Sequence, residues 1–266
     1  MKTLRLTLAV VLLCMSVPAF GQSTGAKVDL YSAVRVELTS RDLLESLTWW
    51  ARLGFSPIRR PGDRVDSALT LTDGQIVVTL VRRSQPSPAL IFSTEDLEGT
   101  KRTLDAMGYR SDAATQDSVL LEIRLRSPNN VFATIRPKKV ETEVRTTAEL
   151  NPVCGKLTEL STAAEILDVE KQWWTRLGFT VARGDSVPYP FVNMTSGFTE
   201  IGIHQGRDVP SLTLTYFMPD MAQRINRLRN QGIEPAEVVP GIDSQIRNAV
   251  YVSPDGQVVY LFEGKR

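Results

Sequence analysis

Short stretches of alternating apolar and polar residues are separated by segments in which apolar residues recur at helical spacing. Residues 33–39 alternate as a strand does. In the segment that follows, Leu43, Leu47 and Trp50 fall on one face of a helix. Gly54 then stands where a left-handed residue would end that helix. The pattern predicts a strand followed by an amphipathic helix.

Three strands are predicted after this helix, over 55–59, 67–72 and 75–81. Asp73-Gly74 predicts a two-residue hairpin turn between the last two strands, of the type that needs positive φ. Ser40 is the predicted N-cap of the helix. This stretch therefore has the order βαβββ.

The same order is predicted a second time before residue 137. Thr94 is the predicted N-cap of the second helix, and Gly108 ends it. The elements of this second run are a strand over 90–93, a helix with Leu97, Leu104 and Met107 on its inner face, and strands over 109–112, 119–125 and 131–135. The first half of the chain therefore predicts a pair of βαβββ modules.

The second half of the chain repeats the first. Three landmarks recur in the same order and at nearly the same spacing, namely WWARLGF over 49–55 as WWTRLGF over 173–179, Asp96 and Gly108 as Asp220 and Gly232, and Ser127-Pro128 as Ser253-Pro254. Such internal self-similarity indicates a duplicated domain. We predict one domain over 28–137 and a second over 155–264, joined by a polar linker over 138–154.

The N-terminus has a different composition. Lys2 and Arg5 precede an apolar run over 6–17, and small residues stand around Gly21. This is typical of a secretory signal peptide over 1–21 that is cut after Gly21. The apolar run is shorter than the ~20 residues that span a bilayer. We therefore expect a secreted or periplasmic protein without a membrane span.

The charge balance and the cysteine content limit which partners this protein can bind and which thiol chemistry it can carry out. The chain has 31 basic and 30 acidic residues, whereas a nucleic-acid surface needs clustered excess Lys and Arg. No nucleic-acid partner is expected. Beyond the signal peptide Cys154 is the only cysteine, so no internal disulfide is possible. A buried or linker thiol is favoured over a nucleophile.

The order of landmarks in each copy resembles the vicinal oxygen chelate family, which includes glyoxalases, bleomycin-resistance proteins and ring-cleaving dioxygenases. The resembling features are the helix ending in W-x-x-L-G-F, the hairpin, the acidic start of the second helix with its terminal Gly, and the Ser-Pro turn before the last strand. The resemblance implies an α+β fold with two tandem domains. Each domain would pair two βαβββ modules into a cupped mixed sheet, whose concave face can hold a ligand. Because this fold hosts many functions, it does not decide the reaction.

Enzymes of that family hold a divalent metal with His, Gln or Glu side chains at inward strand positions. The resemblance places these positions on Arg35 and Glu159 in the first strand, near Val78 or Thr79 and Ile203 or His204 in the fourth, near Ala89 and Thr213 in the fifth, and on Thr134 and Tyr260 in the last.

These positions depart from the family's ligand types. Arg35 would repel a cation, and Ala89 has no ligand atom. His204 is the only histidine of the chain. The second copy therefore offers Glu159 and His204 as candidate metal ligands, with Tyr260 as a third, whereas such metals take three or more protein ligands. We predict no metal centre or other cofactor and assign no catalytic residue.

The same inward positions are predicted to contact a ligand. The candidate ligand-binding residues are Arg35, Glu37, Thr134, Glu159, Thr213 and Tyr260. For Arg35 a structural pair with Glu37 or a neighbouring strand's acid is favoured, and bidentate binding of a ligand's carboxylate or phosphate is the alternative. For His204 a surface or strand-end histidine is favoured over a metal ligand or a base.

The function predicted from the sequence is therefore non-catalytic binding of a small molecule or a protein partner in the concave sheets. The first alternative is a divergent glyoxalase- or dioxygenase-like metalloenzyme with its site in the second domain. The second is a structural scaffold, which predicts that side chains fill both hollows. The two domains could pair within a monomer, or modules could pair between chains in a homodimer.

Overall fold

The computed structural model describes residues 28, 30, 35–58, 67–82, 85–138, 153–240 and 245–264. The predicted signal peptide and most of the predicted linker lie outside these residues. The described residues form two eight-stranded mixed sheets and four helices, which confirms the predicted α+β class and tandem arrangement. None of the described helices has the length and apolar character needed to cross a membrane.

The first sheet and its helices are built from the first copy of the repeat. Their bounds are β1 Arg35–Thr39, α1 Leu43–Arg52, β2 Ser56–Ile58, β3 Ala68–Thr72, β4 Val77–Val81, β5 Ala89–Thr94, α2 Leu97–Ala106, β6 Ser111–Gln116, β7 Val119–Arg126 and β8 Phe132–Pro137.

The second copy repeats this succession of elements. Its bounds are β9 Lys156–Ala164, α3 Leu167–Arg176, β10 Thr180–Asp185, β11 Phe191–Thr195, β12 Glu200–Gln205, β13 Thr213–Met218, α4 Met221–Asn230, β14 Glu237–Pro240, β15 Ile246–Val252 and β16 Val258–Glu263.

Both sheets have one topology. The strand orders are β2-β3-β4-β1-β5-β8-β7-β6 and β10-β11-β12-β9-β13-β16-β15-β14. The first and last strands of each module run parallel, as in β1 with β4. The two modules of a domain meet through their antiparallel first strands, β1 with β5 and β9 with β13. The predicted pairing of βαβββ modules is confirmed.

The repeated W-x-x-L-G-F segment holds a helix against its sheet. Trp50 has no exposed surface, and its ring meets the edge of Phe55 at 4.7 Å between centroids. Gly54, with φ of 92°, turns the chain so that Phe55 N–H donates to the Trp50 carbonyl at 3.1 Å. Trp174 is likewise fully buried and meets Phe179 at 5.0 Å. The predicted helix ends are confirmed.

The two domains share one continuous hydrophobic core. Phe92 of the first domain meets Phe179 of the second edge-on, at 6.1 Å between ring centroids. The Tyr216 hydroxyl donates to Asp73 Oδ2 at 2.9 Å across the junction. A large shared core makes the two domains one packed unit, rather than two bodies on a tether.

A pair of equivalent polar contacts flanks this core. Ser46 Oγ donates to Asp255 Oδ1 at 2.7 Å, and Asn129 Nδ2 donates to Glu170 Oε2 at 2.9 Å. Ser46 and Glu170 occupy the same position in the two copies of the repeat, as do Asn129 and Asp255. The domains are therefore related by a pseudo-twofold axis.

The predicted N-caps, Ser40 and Thr94, are wrong by two residues. Asp42 caps α1 by accepting from the backbone N–H groups of Leu44 and Glu45, and Asp96 caps α2 by accepting from that of Gly99. The chain stays extended for longer than its pattern indicates, with φ of −130° at Asp42. Ser40 and Thr94 instead form buried hydroxyl contacts with Ser46 and Thr100, each at 2.9 Å.

The predicted two-residue turn at Asp73-Gly74 is also wrong. Thr72 pairs with Val77, so four residues connect β3 and β4, and only Gly74 has positive φ among them. The Asp73 carboxylate accepts from the backbone N–H groups of Gln75 at 2.9 Å and Ile76 at 3.0 Å. These side-chain bonds stabilise a wider loop that the dipeptide alone does not indicate.

We predict that Tyr216→Phe lowers the free energy of unfolding by about 2 kcal/mol, because the carboxylate of Asp73, which is 2% exposed, then loses a buried hydrogen bond. Urea unfolding monitored by circular dichroism measures the change. Tyr251→Phe is the matched control, since its buried hydroxyl has no partner among the described residues and its loss should leave stability unchanged or raised. Equal destabilisation by both variants would contradict the assignment.

Candidate binding site on the concave sheets

The concave face of the first sheet encloses an open cavity of about 840 Å³. The helices α1 and α2 pack on the opposite face of the same sheet. Arg35 and Glu37, both predicted to contact a ligand, line the cavity. Thr134, predicted with them, is buried beside β5 and does not line this cavity. The expectation of a hollow lined by first-strand residues therefore holds for the first domain.

A network of charged side chains spans the cavity wall. Arg136 Nη1 and Nη2 donate to the two carboxylate oxygens of Glu37 at 2.7 and 2.8 Å, and Arg136 Nε donates to Glu122 Oε2 at 2.9 Å. Arg124 Nε donates to the other oxygen of Glu122 at 2.8 Å. Gln85 Nε2 also donates to Glu37. Two buried carboxylates thereby hold two guanidinium groups in fixed positions on strands β7 and β8.

The network changes how its members titrate. Burial acts to raise the pKa of Glu122, but hydrogen bonds and positive charge from Arg136 and Arg124 hold that pKa below its ordinary value. Burial acts to lower the pKa of Arg136, and its bonds to Glu37 and Glu122 raise that pKa overall. Both partners therefore stay charged at neutral pH, as a buried ion pair requires.

Basic residues outnumber acidic ones among the described residues that line the cavity. The charged ones are Arg35, Arg82, Arg124, Arg136, Glu37 and Glu122. Charged side chains in a concave space act through low-dielectric walls that focus their field.

In the second domain, buried polar side chains occupy the equivalent part of the concave face. Glu159 and Thr213, both predicted to contact a ligand, are 4% and 0% exposed. Ser161 Oγ donates to Glu159 Oε1 at 2.8 Å and lies 2.6 Å from Thr215 Oγ1, while Asn193 Nδ2 donates to Glu159 Oε2. The carboxylate of Glu159 is thus bonded on both oxygens within the sheet.

Gly202 provides the space that this carboxylate fills. A Cβ atom at Gly202 would lie 2.4 Å from the Glu159 carboxylate. Gly202 pairs with Ser161 in the neighbouring strand, and a side chain at this position would displace the Glu159 carboxylate from its bonds. The scaffold hypothesis, in which side chains fill the hollow, describes this part of the second domain but not the first.

His204 and Glu159, the candidate metal ligands, do lie together. His204 Nε2 is 2.9 Å from Glu159 Oε1, and its ring stacks on Phe191 with centroids 6.0 Å apart. His204 Nδ1 is buried and has no partner among the described residues. The sequence had favoured a strand-end histidine here, and the structure adds a carboxylate partner for it.

Tyr260, the third candidate, faces the same concave side across from Thr215. Burial, together with the charges of Glu237 and Asp208, raises the pKa of its phenol above the ordinary value. A neutral phenol is a poor metal ligand. The described residues contain no group of three or more His, Cys, Asp or Glu side chains placed to hold a metal ion. At the family's metal positions in the second domain, the described residues bring together two ligand-type side chains, Glu159 and His204, where such a metal takes three or more.

Three members of the domain 1 network were not among the predicted site residues, namely Glu122, Arg124 and Arg136. Their signal was present, because charged residues alternate with apolar ones along β7 and β8. Alternation alone leaves open whether such a face is solvent-exposed or lines a cavity.

Cys154 lies away from both concave faces. Its side chain is 1% exposed, and its sulfur lies 3.6 Å from the Leu53 carbonyl oxygen, at the domain junction. Burial and the charge of Asp73 raise the pKa of the thiol well above its ordinary value. A protonated, buried thiol is inert as a nucleophile.

Comparisons with known proteins place the fold. A scan against protein-family models and a search of curated proteins both find no match. Solved structures do match. Homoprotocatechuate 2,3-dioxygenase from Brevibacterium fuscum aligns with a TM-score of 0.63 and 13% identity, over 91% of this chain and 73% of that one.

Two further dioxygenases align comparably. The homoprotocatechuate enzyme from Arthrobacter globiformis gives a TM-score of 0.62 and 13% identity, over 91% of this chain and 82% of that one. A catechol 2,3-dioxygenase gives 0.58 and 14% identity, over 91% and 90%. This chain has the tandem vicinal oxygen chelate fold. The resemblance predicted from the sequence is thereby confirmed for the fold, and identities this low say nothing further about the reaction.

We predict that Glu122→Gln lowers the free energy of unfolding at neutral pH by about 3 kcal/mol, because it removes one partner of a buried ion network. Since the pKa of Glu122 is held below 4.5 in the folded state, its stabilisation is present above pH 4.5 and is lost as pH falls through the folded pKa. The stability difference between variant and parent should therefore shrink in acid. Urea titrations across the acid range measure it.

Glu95→Gln is the control for this experiment. Glu95 is 70% exposed and forms a surface ion pair with Lys138 at 3.1 Å. Exposed pairs of this kind contribute at most about 1 kcal/mol, so the control should stay near the parent at every pH. A constant difference between Glu122→Gln and the parent down to the lowest pH would contradict the proposed titration.

Proposed function

We propose that this chain is a binding protein that takes up a small anionic molecule in the cavity of its first domain. The cavity wall carries four arginines against two buried glutamates, and this observation carries the proposal. Arg136 and Arg124 are held in place by Glu122, so little side-chain freedom is lost when a ligand binds. A volume of about 840 Å³ lies within the range of small-molecule sites.

The ligand's chemistry follows from the lining. Guanidinium groups present planar N–H donors that match carboxylates and phosphates. The wall between them is apolar at Val81, Ile91 and Leu121. A carboxylate on a short apolar or aromatic body therefore suits the cavity better than a sugar or a cation.

Catalysis is not part of the proposal. The described residues at the family's metal positions include an arginine and an alanine in the first domain and threonine and tyrosine in the second. We also propose that the protein acts outside the cytoplasm, which rests on the signal-peptide pattern over 1–21 alone.

We predict saturable binding of a di- or tricarboxylate to the full chain. Glutarate, citrate and phthalate, assayed by isothermal titration against glutaramide and phthalamide, should include at least one carboxylate that binds while the amides do not. Arg82→Ala should weaken that binding about tenfold, the effect of losing one charge-assisted hydrogen bond.

Arg207→Ala is the control for Arg82→Ala. Arg207 is exposed and stacks on Tyr189 in the second domain at 4.1 Å, away from the cavity. Its removal should leave the affinity unchanged. Equal binding of amides and carboxylates, or no binding of any carboxylate, would remove the support for an anion site.

A divergent metalloenzyme with its site in the second domain is the second candidate function. The 2.9 Å contact between His204 and Glu159 favours it, because both could ligate one ion. Purified protein equilibrated with excess Fe²⁺, Mn²⁺ or Zn²⁺ and desalted should carry far less than one metal per chain if the binding-protein proposal is right. Close to one tightly bound metal per chain, lost in His204→Ala, would replace it with the metalloenzyme.

A further inference from the structure

A second open space lies at the junction of the two domains, and among the described residues that line it only Arg124 also lines the concave cavity of the first domain. This groove has a volume of about 1010 Å³. Tyr109, at the end of α2, and Trp173, on α3, meet edge-on at 5.5 Å in its floor. The Tyr109 hydroxyl donates to the Trp173 carbonyl at 2.6 Å, which fixes the two domains against each other here. The groove therefore has a rigid aromatic floor that both domains supply.

Three arginines line the groove near these aromatic rings. The Arg176 guanidinium lies 4.7 Å from the Tyr109 ring centroid, and that of Arg126 lies 5.7 Å from the Phe132 ring centroid. Arg110 stands beside them and is exposed. Stacking on a ring leaves the edge of a guanidinium open to a carboxylate. Within the part of the chain that the structure describes, these three arginines form no ion pair.

The acidic residues of the groove do not neutralise it. Asp105 accepts from Lys101 Nζ at 2.7 and 2.6 Å, so its charge is already compensated. Asp112 is the other acid in the lining. Arg124 also lines the groove, but its guanidinium is bonded to Glu122, so the positive charge of the groove comes from Arg110, Arg126 and Arg176.

The pseudo-twofold axis supplies an internal comparison. The positions equivalent to Tyr109, Arg110, Arg126 and Phe132 in the second copy are Ile233, Glu234, Val252 and Val258. Glu234 there is paired with Arg229 at 2.9 Å. Trp173 and Arg176 are matched by Trp49 and Arg52, so the comparison concerns the other four positions. The fold is built at the second copy without these four side chains, so packing does not require Tyr109, Arg110, Arg126 or Phe132.

We propose that this groove is a docking site for an acidic, aromatic-containing segment of a partner protein. Tyr, Trp and Arg are the residues that contribute most where protein interfaces are tight. The groove crosses a domain boundary, with Tyr109 on one side and Trp173 on the other, which suits an extended chain. Charge complementarity selects glutamate- or aspartate-rich segments, and the floor takes an aromatic ring.

The full chain and a fluorescein-labelled peptide of alternating glutamate and phenylalanine test this inference by fluorescence anisotropy. Arg126→Val introduces the residue type that the second copy has at the equivalent position, Val252. Arg110→Glu likewise introduces the residue type of Glu234, and it reverses the charge. We expect about tenfold weaker binding for Arg126→Val and about a hundredfold for Arg110→Glu. Arg176→Ala should weaken binding about tenfold, whereas Arg52→Ala, at the equivalent helix end of the first domain, should change nothing.

Other outcomes would overturn the inference. A lysine–phenylalanine peptide that binds as well as the glutamate peptide would show that charge does not select the segment. Citrate that displaces the peptide at the peptide's own concentration would assign the groove to small anions. Peptide binding that is absent, or that Arg126→Val and Arg110→Glu leave unchanged, would remove the groove as a docking site. Arg82 lines the concave cavity and not the groove. Arg82→Ala should therefore weaken carboxylate binding and leave peptide binding unchanged, which separates this test from that of the proposed function.

Discussion

The burial of one tryptophan at each first-helix end is the packing constraint on which the rest of the structure depends. Trp50 and Trp174 have no exposed surface, and the phenylalanine after each glycine turn closes against them. Large buried aromatic surface of this kind fixes a helix on its sheet. With helices fixed on one face, the opposite face of each sheet needs no apolar covering. Its side chains are therefore free to differ between the two domains.

The polar side chains on the two concave faces differ. Glu37, Glu122 and Arg136 of the first domain correspond to Ser161, Asn248 and Phe262 of the second. The first set encloses an open, charged cavity, whereas the second domain holds Glu159 in bonds with Ser161, Asn193 and His204. Buried charge is tolerated in both because each carboxylate is bonded on both oxygens. One backbone thus supports two unlike polar interiors.

At the junction between the domains, too, the side chains of the two copies differ while the packing contacts are shared. The paired contacts Ser46–Asp255 and Asn129–Glu170 keep the pseudo-twofold relation. The residues beside them differ, because Arg110, Arg126 and Phe132 of the first copy are replaced by Glu234, Val252 and Val258 in the second, where Glu234 is paired with Arg229. Duplication therefore gives this protein two candidate binding surfaces, with the packing of the domains common to both.

The sequence by itself determined the repeat, the βαβββ order and the helix ends, because hydrophobic period and glycine turns are local signals. It placed Arg35 and Glu37 on an inward face, and Glu159 with His204 as neighbours in the second copy. Local patterns missed the N-caps at Asp42 and Asp96 and the four-residue loop after Thr72, where side-chain bonds to the backbone decide the geometry. Only the tertiary structure brought Arg136 of β8 to Glu37 of β1, and Asn193 of β11 to Glu159 of β9. Those outcomes depend on which distant strands become neighbours, and residue spacing along the chain does not contain that information.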